Sequence, residues 1–317
     1  MRPFDFAEIG HTGLRVSQLG FGSAPLGGLF KSVDGNTATD TVLAGYDSGI
    51  RYYDTAPFYG HGKSEVRLGS VLRQYPRDDF VLSTKVGRVL VPAEGGAGED
   101  HAYRDTLDYN PVFDFSPDAI RRSFESSLER LGLDRIDIAL LHDPDDHFEK
   151  ATEQAFPTLV RMREEGLVTA IGAGMNQSEM LYEFARRVDV DCFLLAGRYT
   201  LLDQSASELL LPECENRGIS IILGGPYNSG ILAGGEHYNY EAAPREMIEK
   251  KKRLDKLCAD HDVPLKAAAL QFPLRHRAVA CVLAGARTAA EVRENVTMMA
   301  TDIPSSFWDA LTEELDA

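Results

Sequence analysis

The chain has 317 residues, 44% of them hydrophobic and 26% charged, an ordinary globular composition that is read as one domain over residues 1–317. A net charge of −16 and a pI near 4.9 argue against general binding to nucleic acid or anionic membranes, because long-range repulsion opposes both. The opening Met1-Arg2-Pro3-Phe4-Asp5 lacks the apolar core of a leader, no apolar run is long enough to span a bilayer, and Cys192, Cys214, Cys258 and Cys281 are scattered without C-x-x-C spacing, which together predict a cytoplasmic protein with reduced thiols.

In chain order, Phe6 and Ile9, a turn at Gly10-His11-Thr12-Gly13, then Leu14 and Val16 predict a hairpin over 5–17. Leu19 to Ser23 reads as a short Gly-rich strand, and Thr37 to Ser48 as a helix stopped by Gly49. Arg51 to Asp54 is a strand that cannot run past Pro57, since proline has no N–H to give a sheet. Helix Ser64–Leu72, strand Phe80–Lys85 and helix Pro117–Leu131 follow; Ser116 is the N-cap of the last and Pro117 its first residue. Further strands are expected at 136–142, 168–172, 192–196, 219–224 and 279–284, with helices ending near Gly166 and spanning 178–187, 206–216 and 289–299.

Eight short apolar strands mostly alternating with helices imply a parallel sheet covered on its faces, and this count closes most economically as a (β/α)8 TIM barrel of the α/β class. A doubly wound sheet is the weaker alternative, because no G-x-G-x-x-G turn follows the first strand. Ser23, Asp54 and Lys85 recur at strand ends 31 residues apart. Two long insertions, about 88–115 and 227–245, are expected to rise from the C-terminal face, where barrel active sites sit.

Asp54, Tyr59, Lys85 and His142 therefore project to one rim. Singly they read as a turn cap, a loop aromatic, a surface charge and a core histidine; together, at matching positions, they point to a site. A phenol titrates too high for acid–base work at neutral pH, and an adjacent Lys⁺ is expected to lower it. Asp54 would hold Lys85 charged, and His142 would hydrogen-bond the reacting oxygen or relay a proton. The set suits proton transfer at a carbonyl or alcohol oxygen while something else moves a hydride.

The pattern resembles the aldo-keto reductase family over nearly the whole chain. The resemblance is carried by Gly20-Phe21-Gly22, Asp54 with Tyr59, Ser83-Thr84-Lys85, Leu140-Leu141-His142, Ile171-Gly172-Ala173-Gly174, and Gly285-Ala286-Arg287-Thr288 leading to Glu294-Asn295. It implies a barrel opened by a hairpin, an extended nicotinamide cofactor and Tyr59 as general acid/base. It places Gly22, Ser23 and Asp54 toward the nicotinamide ribose and Gly225, Pro226, Tyr227 and Ser229 on the pyrophosphate. It places Asn295 on adenine, with Gly285, Arg287 and Glu291 around the adenosine 2′ position. The chain departs from the family pattern at the carboxamide: Gly174-Met175 replaces the usual Ser-Asn pair, with Asn176 as substitute, and Ala196 and Gly224 stand where a Gln and a stacking aromatic are usual. Gly285 and Glu291 replace the cations of strictly NADP-dependent members, so NAD is the expected cofactor, with NADP the alternative that Arg287 favours.

The runs His142-Asp143-Pro144-Asp145-Asp146 and Gly225-Pro226-Tyr227-Asn228-Ser229-Gly230-Ile231-Leu232 resemble the sugar and pyridoxal dehydrogenases of that family. That resemblance implies oxidation of an aldose such as L-fucose at its anomeric carbon, with Phe58, Tyr59 and His142 against the substrate; NADPH-dependent aldehyde reduction and pyridoxal oxidation are the alternatives. Expected partners are a small sugar or aldehyde and, at most, a few further copies of the chain. Tyr103, Tyr109, Phe113 and Phe115 are read either as pocket lining or as pins for the first insertion, and Asp145-Asp146 and Glu164-Glu165 as solvated charge. A metal-dependent hydrolase using the His142–His147 string is a rival without enough further ligands at the other strand ends. A binding module that keeps the cofactor site is a second.

Overall fold

Strand parity decides which side chains reach the inside of this molecule. The computed structural model describes residues 5–94 and 102–315. The N-terminal residues 1–4 and the stretch 95–101 of the first insertion lie outside the described residues, as do 316–317. Eight parallel strands close a barrel: β3 (Leu19–Gly22), β4 (Tyr52–Asp54), β5 (Val81–Val86), β8 (Ile138–His142), β9 (Ala170–Met175), β10 (Cys192–Ala196), β11 (Ser220–Gly224) and β14 (Val279–Gly285), the last pairing back onto the first. Side chains alternate across a strand. Tyr52, Val81, Ile138, Leu140, Cys192, Leu194, Ile222, Cys281 and Leu283 thus form an inner cluster. Their neighbours Tyr53, Leu82, Ala139, Leu141, Phe193, Leu195, Leu223 and Val282 face outward against the helices.

The hairpin of β1 (Phe6–Glu8) and β2 (Arg15–Ser17) forms as expected and packs Ile9 and Val16 into the inner cluster at the strands' N-terminal side. Helix α1 (Gly35–Asp47) starts two residues before the expected Thr37, because the Asp34 carboxylate caps it by accepting from Thr37 N at 2.9 Å. Helices α2 (Lys63–Leu72) and α3 (Pro117–Leu131) follow, and Ser116 caps α3 by accepting from Ala119 N. The next layer is a short turn α4 (Phe148–Lys150) running through a π-helical turn (Ala151–Ala155) into α5 (Phe156–Glu164). Then come α6 (Ser178–Arg187), α7 (Leu210–Arg217), α8 (Arg245–Asp260), α9 (Leu265–Gln271), α10 (Ala289–Ala300) and α11 (Ser305–Leu315).

Both insertions carry hairpins that their sequences did not announce. The first contains β6 (Arg88–Pro92) paired with β7 (Tyr109–Phe113), and the second contains β12 (His237–Tyr238) paired with β13 (Glu241–Ala242). Phe30 stacks on His237 with centroids 5.3 Å apart, tying the segment after β3 to the second insertion. Among the described residues no helix is long and apolar enough to cross a membrane.

Candidate active site

The inward parity of β4, β5 and β8 continues to a polar residue at the end of β4 and β8 and one before the end of β5. Tyr52 points in, Tyr53 out and Asp54 in; the same count places Lys85 and His142 inward at the C-terminal mouth. Gly174 on β9 leaves the room that Lys85 needs, since a Cβ there would lie 3.2 Å from Lys85 Cε. The loop after β4 carries Phe58 and Tyr59 back over the mouth. Gly60 (φ +65°) lets that loop approach Gly27 so closely that a Cβ would lie 2.3 Å from the Gly27 carbonyl oxygen.

Lys85 is the hub. Its Nζ donates to Asp54 Oδ2 at 2.7 Å and Oδ1 at 3.0 Å, to the Thr55 carbonyl at 3.1 Å, and to the Tyr59 hydroxyl at 2.9 Å. Ser83 Oγ also donates to Asp54 Oδ1 at 2.7 Å, and the Tyr52 hydroxyl lies 3.0 Å from Ser83 Oγ beneath it. The His142 ring stands edge-on to Tyr59 with centroids 5.8 Å apart, and its Nδ1 is buried with no partner among the described residues.

The electrostatics correct one expectation. Burial, and next the charge of Asp54, push the Tyr59 phenol well above its ordinary value of 10.0. The Lys85 charge beside the hydroxyl is largely balanced by Asp54. Tyr59 therefore holds its proton at neutral pH. Burial raises Asp54 as well, against the opposing pull of Lys85. Burial, then Arg88 and Lys85, hold His142 well below 6.5, so its imidazole is neutral.

These groups lie on a cavity of about 400 Å³. Phe58, Tyr59, Lys85 and His142 line it, as do Gly174, Met175, Asn176 and Ala196 at the carboxamide positions. The space of the missing aromatic at Gly224 is partly taken: a Cβ there would lie 3.1 Å from Leu194 Cδ2, and Leu194 is on the cavity wall. The aromatics of the first insertion divide. Tyr103 lines the cavity, whereas Phe113 and Phe115 pack on His147, with centroids 5.4 and 5.2 Å away, and pin the hairpin. Asp145 is not simply solvated charge, because it lines the same cavity and burial raises its carboxyl. Glu165 pairs with Arg121 at 2.6 Å instead of standing free. Arg88 and Tyr240 also line the cavity and were not singled out from sequence, and Asp143, noted there only within the run from His142, lines it with them. A charged residue three positions after Lys85 was the available signal for Arg88.

A second cavity of about 480 Å³ meets the first at Leu29, which lines both. Gly225, Pro226, Tyr227 and Ser229 form one side of it, and Gly285, Arg287, Glu291 and Asn295 another. Tyr227 lies near the right-handed region (φ −94°) and Asn228 is left-handed (φ 45°), the alternation that turns consecutive N–H groups into one anion-binding concavity. The Arg287 Nε is buried and has no partner among the described residues, as a group awaiting a ligand would be. Two end-to-end cavities, one with a phosphate-type concavity and an unpaired guanidinium nitrogen, fit an extended dinucleotide. Tyr227 donates to Asn295 Oδ1 at 2.8 Å, and Glu291 Oε2 accepts from Arg287 N at 2.7 Å, so both side chains on the adenosine side are held in place.

Gly22 and Ser23 belong to neither of these walls. Gly22 pairs across the rim with Asp54 and Gly285, and the buried Ser23 Oγ donates to the Asp54 carbonyl at 2.7 Å and accepts from Ser64 Oγ at 2.7 Å. Among the described residues no three His, Cys, Asp or Glu side chains converge on a metal position.

The comparisons with known proteins agree with this geometry. The profile of the aldo/keto reductase family matches residues 18–316. The chain is 42% identical to a D-threo-aldose 1-dehydrogenase from a Pseudomonas species, over 95% of this chain and 94% of that protein. It is 40% identical to a pyridoxal 4-dehydrogenase from Microbacterium luteolum, over 96% of each. Among solved structures, the holo form of an aldo-keto reductase from Bacillus halodurans superposes with a TM-score of 0.78 at 26% identity, covering 98% of this chain and 96% of that one. The chain belongs to the aldo/keto reductase family and is an NAD(P)-dependent oxidoreductase.

Proposed function

We propose that the protein is an aldose 1-dehydrogenase that oxidises the anomeric carbon of a sugar hemiacetal, of the L-fucose type, to the lactone. The observation that carries the acid–base part is the convergence of the Tyr59 hydroxyl, Lys85 Nζ and Asp54 at the floor of the first cavity, with contacts of 2.9 and 2.7 Å. The similarity to a D-threo-aldose 1-dehydrogenase supports the sugar class.

The residues lining the second cavity would hold a nicotinamide dinucleotide, which when bound would supply the hydride acceptor. In the oxidative direction Tyr59 acts from its ionised form: after the phenol has lost its proton to solvent, the phenolate takes the proton of the anomeric hydroxyl as the C1 hydride leaves. Lys85 donates to the phenolic oxygen and offsets the negative charge it carries when ionised, before the substrate proton arrives, and Asp54 keeps Lys85 charged and aimed. Neutral His142 hydrogen-bonds the reacting oxygen and fixes which hydroxyl faces Tyr59. Phe58, edge-on to His142 at 5.9 Å, forms the apolar wall beside it. Gly225 to Ser229 hold the pyrophosphate, Asn295 and Tyr227 the adenine end, and Asn176 the carboxamide. Glu291 accepts from a free ribose hydroxyl and repels a 2′-phosphate, so NAD is preferred; Arg287 leaves NADP as the alternative.

One observation favours a second reading. A Tyr59 that keeps its proton is a donor first, and donation is the step that aldehyde reduction needs. Initial rates for L-fucose, a panel of aldoses and pyridoxal with NAD⁺ and NADP⁺, set against simple aldehydes with NADH and NADPH, separate the two. Oxidation of one sugar well above every reductive rate supports the dehydrogenase; the reverse order supports the reductase.

A further inference from the structure

We infer that Arg88 and Asp143 form a hydroxyl-recognising pair on the wall of the substrate cavity, which selects polyhydroxylated neutral substrates over simple aldehydes and over anions. The inference rests on the proposed oxidoreductase function and identifies the residues that read the substrate.

The pair is built and held. Arg88 follows Gly87 at the end of β5, and its guanidinium carbon lies 4.2 Å from the Phe58 ring centroid and 4.5 Å from that of Phe113. Sandwiched between two rings, it has little freedom to swing. Its Nη2 donates to Asp143 Oδ2 at 2.5 Å. Asp143 follows His142 directly and sits at φ 43°, a left-handed conformation unusual for a residue with a Cβ. Its N–H is fixed on the Gly174 carbonyl at 3.0 Å. This turn after β8 brings the carboxylate to the cavity instead of continuing the strand, and backbone strain of this kind gathers at functional sites. The side chains of Arg88 and Asp143 keep 16% and 29% of their surface exposed, so the pair is reachable from the cavity that both line.

The wall's donor and acceptor balance states what it fits. The guanidinium charge is paired with Asp143 through Nη2, while its buried Nε has no partner among the described residues and remains a free donor; the Lys85 ammonium below it is paired as well. Among the described residues Asp143 Oδ1 accepts no hydrogen bond, and Asp145 Oδ1 is buried without a partner. Free acceptors thus outnumber free cations. An anionic substrate meets two carboxylates, and an aliphatic aldehyde leaves them unsatisfied. A substrate with hydroxyls donates to Asp143 and Asp145 and accepts from Arg88. A site built to hydrogen-bond a hydroxyl rejects analogues without one more strongly than an apolar pocket rejects an extra group.

The test compares kcat/KM for reduction of glyceraldehyde and propanal, and for oxidation of an aldose, its deoxy analogues and the corresponding uronate, in wild type, Arg88→Met, Asp143→Ala and Asp143→Asn. Methionine keeps the packing between Phe58 and Phe113. The wild type should favour each hydroxylated substrate over its deoxygenated analogue. Arg88→Met and Asp143→Ala should lower that ratio about 10- to 100-fold, the range of a hydrogen bond to a charged group, and Asp143→Asn should restore part of it. Titration of NADH by fluorescence shows whether the second cavity is intact in each variant. A merely structural role would lower both substrates together and leave the ratio unmoved, which overturns the inference. A wild type indifferent to hydroxyls, or one preferring the uronate, also overturns it while leaving the oxidoreductase reading in place. A folded wild type that binds nucleotide but turns over none of these substrates overturns both.

Discussion

Replacing Lys85 with methionine removes the hub of the site and leaves a charge behind. Lys85 is 2% exposed and holds both Asp54 oxygens, the Thr55 carbonyl and Tyr59. Without it, Asp54 keeps only the Ser83 hydroxyl as a donor, in a position only 3% exposed. Breaking a buried ion pair by deleting one partner costs about 3–5 kcal/mol, and in a chain of this size that lowers Tm by roughly 5–8 °C. The sign with pH follows from Asp54, whose carboxyl burial already raises above 3.8. Its folded value lies above its unfolded one, so the ionised group destabilises the fold as pH rises from about 4 through the raised value. The deficit of Lys85→Met should therefore be full at neutral pH and shrink on acidification. Urea unfolding at pH 7.5 and pH 5, for this variant and for Lys85→Met/Asp54→Asn, measures it. The double variant should recover part of the loss. A single-variant loss below about 1 kcal/mol, or a double variant no more stable than the single, would refute the claim that a buried, uncompensated carboxylate sets the cost.

Three further outcomes follow from the same geometry. Tyr59→Phe keeps the ring but removes the proton carrier, so kcat should fall about 10²- to 10⁴-fold with little change in nucleotide affinity; stopped-flow and equilibrium titration check both. Because burial holds Tyr59 above 10.0 and His142 below 6.5, the kcat/KM for oxidation should rise steadily between pH 6 and pH 9, with no break near 6.5; a bell centred there would make His142 the titrating group. Glu291→Gln keeps an acceptor for Arg287 N but removes the charge, and two like charges a few ångströms apart are worth about 1–4 kcal/mol at surface dielectrics, so the NADP⁺ to NAD⁺ ratio of kcat/KM should rise at least about fivefold.

The barrel was legible because its signals are redundant: apolar strand runs, their alternation with helices, and a polar residue at the end of β4 and β8 and one before the end of β5. Those features also placed Asp54, Lys85 and His142 together without any knowledge of contacts. Boundaries suffered where one residue carries two meanings. Gly172 reads as the end of β9, yet the strand continues to Met175; glycine is there because a Cβ would fall 1.7 Å from the Cys192 carbonyl oxygen of the neighbouring strand. The helix expected from Ala206 begins at Leu210, because Thr200, Asp203 and Ser205 close turns on one another and Pro212 is tolerated only in a first turn. The pairing of Arg88 with Asp143 escaped notice because it joins residues 55 positions apart and depends on a left-handed turn at a non-glycine residue. The raised phenol of Tyr59 escaped for a different reason. Residue types indicate that Lys85 is adjacent, but only packing reveals how strongly burial and Asp54 oppose it.

The most direct test of the central claim is the initial rate of NAD⁺ reduction by wild-type protein with L-fucose and related aldoses, set against its NADPH-dependent reduction of simple aldehydes. The account predicts strong, NAD⁺-preferring oxidation of at least one aldose, lost in Tyr59→Phe. No sugar oxidation with either nucleotide, together with brisk NADPH consumption on simple aldehydes, would contradict it.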